Sequence, residues 1–105
     1  MVKRFGWILK IYKLEFHPLA LREWEKLDGS IKSQFKKSLE KRVVNPYVET
    51  ARLYSDLGGF YKIKLKTSGF RLVYEVIEGR LVIVVIAVGK RDKEIAYIKA
   101  LQRKG

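Results

Sequence analysis

Residues 81–88 read LVIVVIAV, an unbroken apolar run rich in β-branched side chains and ended by Gly89. A strand with one wet face alternates apolar and polar residues. A strand without alternation has to be covered on both sides. The run is too short for an ordinary buried helix, so it predicts a central strand with structure packed above and below it. A chain of this kind is committed to a sheet with two occupied faces.

Two more strand patterns precede this run without a helix between them, at 60–66 and 70–77. The intervening Ser68-Gly69 and Glu78-Gly79 are turn sequences, which makes the three strands consecutive antiparallel hairpins. Further upstream, WILKIYKLEF at 7–16 reads as a first strand. His17-Pro18 opens a helix with proline in its first turn, and Ala20, Trp24 and Leu27 share one face of it. His17 itself reads as a capping or packing residue. Asp28-Gly29 breaks this helix, and Ser30 is the expected cap of a second one. In that second helix Ile31, Phe35, Leu39 and Val43 recur every four residues, while Lys32, Lys36, Lys37, Lys41 and Arg42 form a basic outer face. Asn45-Pro46 ends it. In the tail, Ile95, Ile98 and Leu101 mark a weakly amphipathic helix between Asp92 and Lys104. The expected fold is α+β, in the order β-α-α-β-β-β-α: an antiparallel sheet with an N-terminal helical hairpin on one face and a short C-terminal helix.

The 105 residues suffice for one domain, 1–105, with a single modest core. The charge balance is less ordinary: 23 Lys and Arg against 11 Asp and Glu give a net charge of +12. Such an excess favours polyanionic partners, either nucleic acid or an acidic protein. With no cysteine in the chain, disulfides, Cys-ligated zinc and thiol nucleophiles are excluded. The opening MVKRFGWILK has an apolar patch too short and too interrupted for a signal peptide, no stretch is long enough to span a membrane, and no basic amphipathic helix exposes a large apolar face. The expectation is a cytoplasmic protein that does not engage membranes.

Within the first hairpin, YKIKLKTSGFRLVYEV at 61–76, lysines alternate with apolar residues. With 67 and 68 at the tip of the turn, Lys64 faces Arg71 and Lys62 faces Val73. Like charges facing each other across strands are mildly destabilising, so folding alone does not favour the arrangement. Glu75 offsets Lys62 in part, and no acid is placed to neutralise Lys64 and Arg71 together. A three-residue turn at 78–80 would bring Ala87 opposite Arg71, with Arg91 emerging just beyond the strand end. Alternating lysines on a strand commonly serve solubility and edge protection. The convergence of Lys62, Lys64, Arg71 and Arg91 on one side of a sheet argues for a site.

His17 is the only histidine, so a two-histidine ribonuclease mechanism is impossible, and the scattered acids offer no metal motif. Neither a metal nor a cofactor is expected. Lys, Arg and Tyr can still cleave RNA. Attack by the substrate's own 2′-OH needs a base, stabilisation of charge on the phosphate, and help for the departing 5′-oxygen. Free lysine, with a pKa of about 10.4, is a poor base at neutrality. Neighbouring cations disfavour its protonated form and make it a better one. Arginine suits the phosphate through bidentate hydrogen bonds.

The run YKIKLKTSGFRLVYEVIEGRLVIVVIAVGKRDKEIAY resembles the C-terminal half of RelE-type toxins, the ribosome-dependent mRNA interferases of the RelE/ParE superfamily. LALREWEKLDGSIKSQFKKSLEKRVVNP resembles that family's helical hairpin. The resemblance covers about residues 8–104, leaving 1–7 as an extension. It implies cleavage of mRNA in the ribosomal A site, by 2′-OH attack that leaves a 2′,3′-cyclic phosphate. It also implies roles: Lys64 as general base, Lys62 holding the phosphate, Arg71 stabilising the transition state, Arg91 at the leaving oxygen, and Tyr97 stacking on the substrate. Phe70 stands where the family often has Tyr. An acidic RelB-type antitoxin is the implied partner, and the tail helix, expected over Val73, Ile83 and Val85, would be displaced by it. Two other readings stand beside this one: a ParE-like toxin with another target such as DNA gyrase, which the five matching residues argue against, and a non-catalytic RNA- or ribosome-binding module.

Overall fold

The computed structural model describes residues 11–104, so the extension and the start of the first expected strand lie outside the described residues. Among the described residues the strands and α-helices run β1 (Lys13–Phe16), α1 (Pro18–Glu25), α2 (Gly29–Arg42), β2 (Phe60–Lys64), β3 (Arg71–Ile77), β4 (Val82–Gly89) and α3 (Ile95–Gln102), with short 3-10 turns in the connections. The α+β class and the element order are those expected. Among the described residues no helix is long and apolar enough to cross a membrane.

The sheet runs β1-β4-β3-β2, with β4 central and buried along most of its length. β2–β3 and β3–β4 are antiparallel, but β1 joins β4 in parallel, pairing Lys13 with Val82 and Phe16 with Val85. The sheet is therefore mixed. Strand direction at that edge follows from where the helical hairpin carries the chain, which no local pattern in 11–16 encodes.

α1 and α2 cover one face. Ala20, Ile31, Phe35 and Leu39 pack there against Ile63, Leu65, Leu72, Tyr74, Ile83, Val85 and Val88. Full burial of a side chain such as Phe35 contributes about 1.5–3 kcal/mol, so this layer carries much of the stability. The α1 cap is His17, whose Nδ1 accepts from the Leu19 amide at 3.1 Å. For α2 the cap is Asp28 rather than Ser30: its carboxylate accepts from Ile31 N at 3.1 Å, and Gly29 and Ser30 lie in the first turn. Arg42 departs from the expected outer face. Its guanidinium turns inward and donates to the Lys62 carbonyl (3.0 Å) and to Tyr74 Oη (2.9 Å), tying the end of α2 to β2 and β3.

α3 covers the opposite face, through different residues from those expected. Ala96 and Ala100 are buried there with Phe60, Val73, Ile86 and Ala87, while Ile98 and Leu101 remain 51% and 46% exposed. Of its expected contacts Val73 holds; Ile83 and Val85 face α1 and α2 instead. Alanines let the helix approach the sheet closely, and larger side chains at 96 and 100 would hold it away.

Candidate active site

The first hairpin has the expected register. Lys64 pairs with Arg71 and Lys62 with Val73, and Leu65 N donates to the Phe70 carbonyl at 2.9 Å to close the turn. Cross-strand partners share a face. Val73 belongs to the α3 side, which puts Lys62, Lys64 and Arg71 on the same side.

The second hairpin is longer than expected. Its turn spans 78–81, with Leu81 in the left-handed region (φ 53°), and the pairing shifts by one residue between Tyr74–Val85 and Val73–Ala87. The two irregularities add up to place Gly89, not Ala87, opposite Arg71. This matters for the site. A Cβ on Gly89 would sit 3.2 Å from Ile95 Cγ2 and 3.3 Å from Ala96 N, so the missing side chain lets the start of α3 lie directly against the sheet. Residues 94–97 are thereby delivered to Arg71.

Arg71 is mostly enclosed, its side chain 11% exposed. Its guanidinium lies over the Tyr97 ring, 5.1 Å from the centroid, and Nη1 stands 3.9 Å from a carboxylate oxygen of Glu94. Its Nε is buried without a hydrogen-bond partner. Burial pushes the Tyr97 phenol above its ordinary value, the Arg71 charge opposes that rise, and Glu94 adds to it. Tyr97 is accordingly a neutral platform that orients Arg71 through its π face.

Lys64 is exposed and Lys62 half-buried. Arg91 meets the site from its end. It is exposed, and a Cβ on Gly69 (φ 78°) would fall 3.2 Å from Arg91 Cβ, so the side chain lies across the hairpin turn. With Thr67, Ser68, Phe70, Lys90 and Asp92 it lines a polar cleft beside the start of β3. Lys62, Lys64, Arg71 and Tyr97 thus share one face, and Arg91 borders it at the turn. Such a surface can neutralise a phosphate and present an amine to it.

Two features were missed by sequence reasoning. Glu94 supplies an acid beside Arg71 where none was expected; its place three residues before Tyr97 in a tail helix was the available signal. Glu23 and Arg103 form the second. Arg103 donates to both Glu23 oxygens (2.7 and 3.0 Å) and to the Ile86 carbonyl (2.8 Å), while Glu23 also accepts from Val88 N (3.1 Å) and pairs with Lys99 (3.0 Å). The pair satisfies the β4 edge beyond the end of β1 and pins the C-terminus of α3 to α1. Burial alone would push the Glu23 carboxyl up; Arg103, the Val88 amide and Lys99 together hold it below its ordinary value.

Residues 14–95 match the family of ParE toxins of the type II toxin–antitoxin system parDE. A RelE-like toxin protein of Escherichia coli is 48% identical over 92 residues, covering 88% of this chain and 96% of the relative. The mRNA interferase toxin RelE of Escherichia coli K12 is 42% identical over the same shares. The free structure of an arginine double variant of Escherichia coli RelE superposes with a TM-score of 0.82 at 40% identity, covering 90% of this chain and 99% of that one. The chain therefore belongs to the RelE/ParE family of toxins from type II toxin–antitoxin systems.

Proposed function

We propose that this protein is a ribosome-dependent mRNA endonuclease toxin that cleaves mRNA in the ribosomal A site without a metal. The observation that carries the reading is the Lys64–Arg71 pair on a face where Tyr97 orients the guanidinium, in a chain 42% identical to a named mRNA interferase. Lys64 removes the proton of the 2′-OH. The 2′-oxygen bonds to phosphorus, the bond to the 5′-oxygen breaks, that oxygen takes a proton from water, and the proton held by Lys64 returns to solvent. The products are a 2′,3′-cyclic phosphate and a 5′-hydroxyl end. Arg71 stabilises the charge on the equatorial phosphate oxygens through donors already fixed in place. Lys62 holds the same phosphate, Arg91 supports the departing oxygen, and Tyr97 positions the substrate as well as Arg71. No strong base takes part, so the rate depends on in-line geometry that the ribosome supplies by holding the mRNA.

Primer extension on mRNA in a translating extract is expected to show codon-phased cuts. They disappear with Lys64→Ala or Arg71→Ala while ribosome binding persists. Normal cutting by these variants refutes the residue roles. A wild-type protein that binds ribosomes and never cuts is a binding module, and one that poisons DNA gyrase belongs with the ParE reading.

The partner is an acidic RelB-type antitoxin. Escherichia coli RelE has been solved as an intact complex with RelB and with a RelB peptide, and this chain has the strong positive charge that such a partner needs. Antitoxin binding displaces α3, so hydrogen exchange over 92–104 is expected to rise in the complex. Unchanged protection counts against displacement.

A further inference from the structure

The side chain that stands closest to an anion's role at Arg71 is one of the protein's own. Glu94 Oε1 lies 3.9 Å from Arg71 Nη1, too far for a hydrogen bond but well within reach of its charge. Glu94 is 69% exposed and Arg71 only 11%. A pair with one member so wet is held weakly and gives way to a better anion. The guanidinium keeps unused donor capacity, since its Nε is buried with no partner. Glu94 also holds a left-handed backbone (φ 52°) that costs a residue with a Cβ some conformational energy, and this conformation begins α3 directly beside Arg71.

We infer that Glu94 is a specificity-determining counter-ion: a displaceable carboxylate that occupies the electrostatic place of the substrate phosphate and weakens the binding of RNA that nothing else holds in position. The inference rests on the reading of this face as a phosphodiester-binding site. An incoming phosphate must expel the carboxylate from Arg71 and tolerate it nearby. RNA free in solution bears the whole of that repulsion in its affinity. RNA already fixed by a larger assembly does not, because its local concentration at Arg71 is imposed from outside. On an otherwise strongly cationic chain, one acid at this point confines productive binding to substrate that is delivered. It acts on binding, not on the bond-breaking step.

The test uses the full chain and a short RNA whose 2′-hydroxyls are methylated, so that binding is read without cleavage. By fluorescence anisotropy at low ionic strength, Glu94→Gln is expected to bind it about three- to fivefold more tightly than wild type. The gain shrinks as salt is raised. Glu94→Asp, which keeps the charge, stays near wild type. Glu94→Gly removes both the charge and the backbone strain and binds at least as tightly as Glu94→Gln. On unmodified free RNA the gain of Glu94→Gln appears as a lower KM. Equal or weaker binding by Glu94→Gln overturns the inference, and so does a loss confined to kcat, which makes Glu94 a participant in the reaction. If wild type cleaves no RNA on or off the ribosome, the nuclease reading fails instead, and the methylated-RNA comparison still decides the role of Glu94.

Discussion

The two faces of the sheet are built to different specifications. Between the sheet and the α1–α2 layer lie Phe35, Leu72, Tyr74, Ile83 and Val85, large side chains with 0% exposure. At α3 the contacts are Ala87, Ala96 and Ala100 with Val73, Ile86 and Phe60, and the cover encloses Arg71 under Tyr97 but leaves Lys62 half-buried and Lys64 exposed. The first face supplies stability through apolar area. The second is thin enough to leave cations at the edge of water, and it depends on polar ties instead. Glu23 and Arg103 pin one end of α3. At its other end, the bare Gly89 lets the helix sit close. A site that must hold several like charges is tolerable here because the opposite face carries the fold.

The contrast can be broken most severely at Phe35. Phe35→Ala is expected to lower unfolding free energy by about 3–5 kcal/mol, seen as a fall in urea midpoint, whereas Ala100→Gly on the inner side of α3 should lose only about 1 kcal/mol. Comparable losses would mean the two faces share the load. Arg71→Ala is expected to reduce cleavage of ribosome-bound mRNA by about 10²–10³-fold, and a rate near wild type would remove the functional half of the comparison. Arg103→Ala leaves Glu23 half-buried without its main partner, with an expected stability loss of about 1–3 kcal/mol and faster exchange of the α3 amides. Because the folded Glu23 carboxyl titrates below its ordinary 4.5, the tie is complete at neutral pH and is lost as pH falls past that value through the folded one. The stability gap between wild type and Arg103→Ala should narrow over that acid range; a gap independent of pH would show that Glu23 is not the partner that matters. The smallest effect is expected at the solvated Arg80–Glu15 pair, where Arg80→Ala should shift stability by less than about 0.5 kcal/mol.

Much of the site could be read from the chain because its central hairpin is local. Ser68-Gly69 and the alternation of 60–66 placed Lys64 opposite Arg71, and the pairing is as expected. The next hairpin eluded the same reasoning. Leu81 carries no signal for a left-handed turn, and nothing in LVIVVIAV marks an extra residue at 86, so Gly89 rather than Ala87 came to face Arg71. The helical stripe Ile31-Phe35-Leu39 was visible in its period and is buried. The stripe in the tail misled, because close approach to a sheet selects small residues and hydrophobicity alone points to large ones. Arg42 falls on the basic outer face by its spacing, because charge says nothing about a long side chain reaching inward to Tyr74 and the Lys62 carbonyl.

By itself the sequence determined a sheet covered on both faces, a helical hairpin on one of them, and a hairpin with cations in register, since each of these follows from periodicity or turn chemistry over a dozen residues. Tertiary structure alone decided that β1 runs parallel to β4, that α3 rests on alanines, and that Glu94 and Tyr97 come to Arg71. Those outcomes depend on distances between segments far apart along the chain, which are settled only when the segments compete for the same space.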